Sequence, residues 1–319
     1  MSDPSEYRGV RVLVLGASGF IGRWVARELS RRGARLVLAV RDPRAFAHVQ
    51  RAWGIEGEVR EVDLSRSGSG AALVRDVRPA LAFDLAGYGV DPRERDEELA
   101  RRLNAELAGE LASALASARD PAWLGQELVR AGSALEFGGA SGALEDPWSC
   151  APTTVYGRTK LDGSRALARV ASETRLRALT ARLFTVYGPG EHEGRLLPSL
   201  LAAARTSARV PLTAGEQRRD FTYVEDVARG LVELGLVRLR VEPCALNLAT
   251  GTLASVREFV ETAARELGIA SERLRFGALP TRPEEMAHDP VSVAGARALL
   301  GWTPATPIAE GVRRTRAFA

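Results

Sequence analysis

Apolar and polar positions follow one rhythm through the first part of the chain and another after it. Val12-Leu13-Val14-Leu15 is an unbroken apolar run, the pattern of a strand covered on both faces of a parallel sheet. It leads into glycines and then a helix-period stretch through residue 32. Residues 35–40 repeat the apolar run, and a further strand is expected from about residue 126 to Ser133. Residues 92–118, rich in Ala, Leu and Arg, read as one long helix. This alternation continues to about Val186 and predicts parallel strands joined by right-handed crossovers. Beyond Tyr187 the texture changes. Gly188-Pro189-Gly190 breaks the chain, 196–209 reads as a helix and 211–221 as a short extended segment. Residues 224–236 and 245–249 return to the main domain as helix and strand. The expected fold is therefore α/β, a doubly wound parallel sheet over 1–187 and 221–268. A smaller C-terminal α/β substrate lobe is expected over 188–220 and 269–319.

The first strand-to-helix junction carries Gly16-Ala17-Ser18-Gly19-Phe20-Ile21-Gly22. Glycines at this spacing permit a tight turn, let backbone approach a pyrophosphate and let the helix pack closely on the sheet. The phosphates then lie at the positive helix N-terminus, as in a Rossmann-type dinucleotide site. The second strand should end in the residue that reads the adenosine ribose. An acid there marks NAD, and an arginine nearby accommodates the 2′-phosphate of NADP. The chain offers Val40-Arg41-Asp42-Pro43, with Val40 at the usual acidic position 24 residues after Gly16. Arg41 follows it, and Arg23 stands just past the glycine turn as a second phosphate partner. NADP (NADPH) is the expected cofactor and NAD the less favoured one, although Asp42 turned inward would favour NAD.

One lysine, Lys160, stands among 44 basic residues, the rest arginine. A compact ammonium kept at this single position suggests chemistry that a planar, permanently charged guanidinium does not perform. Tyr156 precedes it by four residues, so on a helix the phenol and the ammonium share a face. The cation is expected to favour phenolate and lower the phenol pKa.

With these residues in view the chain resembles the extended short-chain dehydrogenase/reductase family, of the NAD-dependent epimerase/dehydratase type. GASGFIG (16–22), Asp63-Leu64, LAG (85–87), Asn104, GSALEFG (132–138), YGRTK (156–160), RLFTVYGPG (182–190), RRDFTYVEDVA (218–228), NLATG (247–251) and LGWTP (300–304) occur in the family's order. The resemblance implies a catalytic set of Ser133, Tyr156 and Lys160. Ser133 and Tyr156 would meet the substrate oxygen, while Lys160 would hold the nicotinamide ribose. It implies cofactor contacts from Gly16, Ser18, Gly19, Phe20, Ile21, Gly22, Arg23, Arg41, Asp63, Leu64, Leu85, Ala86, Gly87, Asn104 and Phe184, besides Tyr156 and Lys160. Substrate contacts would come from Tyr88, Ser133 and Thr185, with Arg219 and Arg282 on a diphosphate, a group that guanidinium binds by paired charge-assisted bonds.

Departures from the family pattern narrow the reaction. Ala134 and Leu135 stand where 4,6-dehydratases carry an acidic pair, which disfavours water elimination. Asp84 replaces a frequent His before LAG, and Thr185 a frequent Asn. The 188–201 and 212–221 segments look most like those of nucleotide-sugar 4-ketoreductases. The expected activity is NADPH-dependent reduction of a nucleoside-diphosphate 4-keto-6-deoxy sugar. A 4-epimerase holding NAD, a reductase of small or flavonoid-like ketones and a catalytically silent cofactor-binding protein remain as alternatives.

Composition fits an intracellular enzyme. Hydrophobic residues make up 45% of 319, enough for a large core, and Cys150 and Cys244 are too few for a disulfide framework. The formal charge of +4 mixes 44 basic with 40 acidic residues and no basic block, against nucleic-acid binding. His48, His192 and His288 lack ligand-like spacing, so no metal is expected. Residues 1–11 lack the apolar core of a signal peptide, and no run reaches membrane-span length. A cytoplasmic homodimer is expected, without nucleic-acid or membrane partners.

Overall fold

The computed structural model describes residues 4–91, 93–140, 142, 144–242, 244–280 and 288–318. Strand β1 (Arg11–Leu15) alternates its side chains between two cores. Val12 and Val14 join helix α1 (Phe20–Arg31) on one face, while Leu13 and Leu15 meet the opposite helical layer. Both faces of the strand are therefore covered, which explains its unbroken apolar run. Strand β2 (Arg35–Val40), helix α2 (Pro43–Ala52), strand β3 (Glu58–Glu61), helix α3 (Ser69–Val77) and strand β4 (Leu81–Asp84) continue the alternation. Helix α4 (Glu97–Arg101), a π turn (Arg102–Glu106) and helix α5 (Leu107–Ser117) lead to strand β5 (Leu128–Ser133). Helix α6 (Val155–Thr174) and strand β6 (Ala178–Leu183) follow.

The main sheet has seven parallel strands, ordered Ala245–Leu248, β6, β5, β4, β1, β2, β3. Chain order reverses between β1 and β4, so their carboxyl ends flank a crevice, the place where open α/β sheets take their ligands. One face is covered by α1 and the Val224–Gly235 helix, the other by α3, α5 and α6. Among the described residues no helix is long and apolar enough to cross a membrane.

Several sequence expectations need correction. The long helix expected over 92–118 begins at Glu97, where Asp96 accepts the Leu99 N–H as a cap, and is widened by the π turn. The wider turn directs the Asn104 carbonyl to Arg130, 2.6 Å away. The helix expected over 196–209 stops at Ala204. The single extended segment expected over 211–221 is divided instead. Val210–Pro211 pairs with Leu274–Arg275, Arg218–Arg219 with Ala254–Ser255, and Phe221–Tyr223 with Thr185–Tyr187. Isolated two- and three-residue pairings leave no periodicity for a sequence reading to detect.

Candidate active site

The glycine turn is shaped by what it lacks. Gly16 has φ of 76°, and a Cβ there would press on the Leu85 carbonyl at 2.7 Å. A Cβ on Gly22 would overlap the Gly16 carbonyl. Gly19 caps α1 without any side-chain cap bond, so the first helical N–H groups stay open for an anion. Exposed Ser18 and half-buried Phe20 and Ile21 complete the turn. Arg23 donates from Nη2 to the Ser18 carbonyl (2.9 Å) and from Nε to the Gly19 carbonyl (3.2 Å), with its guanidinium over the Trp53 ring. These residues fit a dinucleotide, because the cleared backbone and uncapped N-terminus suit a pyrophosphate.

At the end of β2, Val40 is buried and Arg41 exposed. The Asp42 carboxylate accepts the Ala45 N–H at 3.0 Å as the cap of α2, so it is engaged locally rather than turned inward. Asp63 follows β3, held below the usual carboxylate range by hydrogen bonds from Ser65, and Leu64 beside it is buried.

The expected catalytic residues lie at the end of β5 and in the first two turns of α6. Ser133 ends β5, where its Oγ accepts the Leu135 N–H at 3.2 Å and helps lower the nearby Tyr156 phenol pKa. Thr154 caps α6 through the Gly157 N–H, placing Tyr156 in the first turn and Lys160 one turn later on the same face. Lys160 Nζ lies 5.9 Å from the Tyr156 ring centroid and donates to the carbonyls of Ala131 (3.1 Å) and Ala86 (3.5 Å). Gly87 leaves room for it, since a Cβ there would stand 3.1 Å from Nζ.

The electrostatics differ from the expectation of a phenol acidified by its ammonium neighbour. Burial, the largest influence, pushes Tyr156 up to about 12, against the Ser133 hydrogen bond and the Arg130 charge. The phenol therefore carries its proton at neutral pH, the form a general acid requires. Burial also pushes Lys160 down to about 8, with Arg130 adding to the effect while Asp84 and Glu136 oppose it.

Beneath these groups runs a layer of buried charge that sequence reasoning missed. Glu136 is fully buried and accepts the Ser133 N–H (2.9 Å), the Ser164 hydroxyl (2.9 Å) and Arg182 Nε (2.8 Å). The Arg182 guanidinium carbon lies over the Phe137 ring, 4.6 Å from its centroid. Arg130 faces Asp84 at 3.5 Å, and burial pushes the Asp84 carboxyl up. The available signal was a charge inside an apolar strand run, Leu128-Val129-Arg130-Ala131 and Ala178 to Leu183. A buried charge persists only when paired. Glu191 was missed as well. Its carboxyl is buried and pushed up to about 7, with one oxygen 3.5 Å from Arg195 Nε and the other without a hydrogen-bond partner.

Other expected residues are more dispersed. Asn104, expected at the cofactor, is fully buried. Its amide accepts the Tyr88 N–H and donates to the Tyr88 carbonyl and Thr159 Oγ1, so it positions the loop after β4 rather than facing the cleft. Tyr88 is half-buried there, and Tyr156 packs within 3.3 Å of where a Gly89 Cβ would lie. Phe184 meets the His288 ring edge-on, and Thr185 is half-buried beside Asp220. Arg219 sits in the short pairing with Ala254. Arg282 lies outside the described residues.

Comparison with known proteins agrees with this geometry. The chain matches the model of the NAD dependent epimerase/dehydratase family over residues 12–237. It is 30% identical to dTDP-6-deoxy-L-talose 4-dehydrogenase (NAD(P)(+)) of Kitasatospora kifunensis, covering 95% of this chain and 93% of that protein. It is 26% identical to dTDP-L-rhamnose 4-epimerase of Burkholderia thailandensis, covering 98% and 96%. Among solved structures, MoeE5 in complex with UDP-glucose and NAD matches with a TM-score of 0.80 at 29% identity, covering 97% of this chain and 98% of that one.

Proposed function

The chain belongs to the NAD dependent epimerase/dehydratase family, and from that premise we propose that it reduces the 4-keto group of a nucleoside-diphosphate 4-keto-6-deoxy sugar with NADPH. The observation that carries the reading is Ser133 at the end of β5 with Tyr156 in the first turn of α6 and Lys160 one turn along the same face. The dinucleotide supplies the hydride. Tyr156 gives its proton to the carbonyl oxygen, Ser133 orients that oxygen, and the Lys160 ammonium steadies the phenolate left behind. Glu136, the nearest acid after Ser133, is spent on Arg182 and Ser164 and is not free to shuttle protons for a dehydration.

Reduction rather than epimerisation is favoured by the junction after β2. Val40 is buried where an acid would bind the ribose, Asp42 is occupied as a cap, and exposed Arg41 is available for a 2′-phosphate. A relative that is a 4-dehydrogenase of a dTDP-6-deoxy sugar supports the same assignment. Residues 188–220 and 269–319, with Arg219 and Arg282, are proposed as the substrate lobe of a cytoplasmic homodimer.

The test is stoichiometry. Purified protein given a nucleoside-diphosphate 4-keto-6-deoxyhexose should consume one NADPH per sugar reduced and ignore the free sugar. Interconversion of two nucleotide sugars without net NADPH loss would overturn the proposal in favour of an epimerase. Preference for NADH would overturn the cofactor assignment, and absence of any turnover would leave a binding protein.

A further inference from the structure

Lys160 Nζ is held on the carbonyls of Ala131 (3.1 Å) and Ala86 (3.5 Å), one and two residues past an ion pair that no sequence motif announces. Arg130 on β5 is 1% exposed and Asp84 on β4 is 2% exposed. Arg130 Nη2 donates to the Asn104 carbonyl at 2.6 Å and Nη1 to Ser164 Oγ at 3.1 Å, joining the π turn to α6. Gly163 makes this possible, because a Cβ there would overlap the Asn104 carbonyl and press on the guanidinium. The helix that carries Tyr156 and Lys160 is thus notched to admit a cation. Burying charge is expensive, and an apolar pair of similar volume often packs at no loss of stability. The notch and the pair therefore point to a use other than cohesion.

We propose that the buried Asp84–Arg130 pair, placed beside the carbonyls that hold Lys160 and admitted by the notch at Gly163, acts as a pair of opposed positioning residues for the Lys160 amine. The groups facing Lys160 are Asp84 from β4, Arg130 from β5, Glu136 from the turn after β5, and Tyr156 from its own helix. Arg182 on β6 is bonded to Glu136. The directions agree: after burial, Arg130 lowers the lysine pKa, while Asp84 and Glu136 raise it. What the charge is used for rests on the reductase reading; the charge itself does not.

The chain's only lysine makes the test direct. Acetic anhydride labelling of Lys160, read by mass spectrometry across a pH series, reports its protonation without any need for turnover. Wild-type labelling should reach half its maximum near pH 8. Arg130→Met should move that midpoint up by about one pH unit, and Asp84→Asn should move it down. Arg130→Lys keeps a cation in place and should leave the midpoint near that of the wild type. The alkaline limb of kcat/KM for the dinucleotide should follow the same shifts. Midpoints that stay put, or move the same way in Arg130→Met and Asp84→Asn, would overturn the proposal, with thermal melts confirming folding. If Arg130→Met does not fold, the Asp84→Asn and Arg130→Lys pair decides. Labelling that shifts as stated while the rate limb stays fixed would upset the catalytic reading of Lys160 and leave the ion-pair inference standing.

Discussion

The glycine turn after β1 and the charged layer under Tyr156 both sit at the carboxyl ends of parallel strands, yet they are built in opposite ways. The turn is a contiguous stretch whose function comes from absent side chains: a left-handed Gly16, a Gly22 without Cβ and a helix end without a cap. The charged layer draws Asp84, Arg130, Glu136, Lys160, Ser164 and Arg182 from separate strands, a turn and a helix, and is built from the side chains that are present. A surface made of backbone holds a ligand common to many enzymes. A layer made of buried charge surrounds Tyr156 and Lys160 with partners that are distant in sequence.

Substitutions in each region should separate binding from chemistry. The largest effect belongs to Tyr156→Phe, expected to cut turnover by about 10²–10⁴-fold while dinucleotide titration stays near wild type. If the Phe variant retained more than about a tenth of the rate, Tyr156 would not be the general acid. Next is Glu136→Gln, which strands Arg182 as a buried cation and should cost about 3 kcal/mol in denaturant unfolding. A loss below about 1 kcal/mol would mean that the layer is not coupled as the geometry implies.

Gly22→Ala probes the other region. Its methyl would overlap the Gly16 carbonyl, so a cost of about 1–3 kcal/mol and weakened binding of NADPH and NADH alike are expected. Arg41→Ala should be milder and selective, about tenfold weaker for NADPH with NADH little changed, as read by fluorescence titration. The gentlest probe is pH. Lys160 discharges in the folded state near pH 8 but keeps its proton in the unfolded chain up to the ordinary lysine value of 10.5. Between these pH values the unfolded state binds more protons, so this group's contribution to stability rises while activity falls. Activity and melting temperature that decline together across that window would contradict the assignment.

Much of the first region was legible in the sequence because its physics is local. The run 12–15, the glycine spacing and the pair four residues apart on α6 each fix backbone conformation or facing within one or two turns, and the structure places them accordingly. The same locality misled the reading of the helix over 92–118. Arg130 and Arg182 were visible as charges inside apolar strands, but their partners were not, since β4, β5, β6 and α6 meet only through the sheet order.

Residues 12–22 and 156–160 therefore determined by themselves the class of fold, the dinucleotide-type turn and the shared face of Tyr156 and Lys160, because short-range sterics and helical periodicity suffice for those. Which way the Tyr156 phenol shifts was decided only by the tertiary structure. Burial raises the Tyr156 phenol and lowers Lys160, and both effects depend on which strands bring Asp84, Arg130 and Glu136 beneath them.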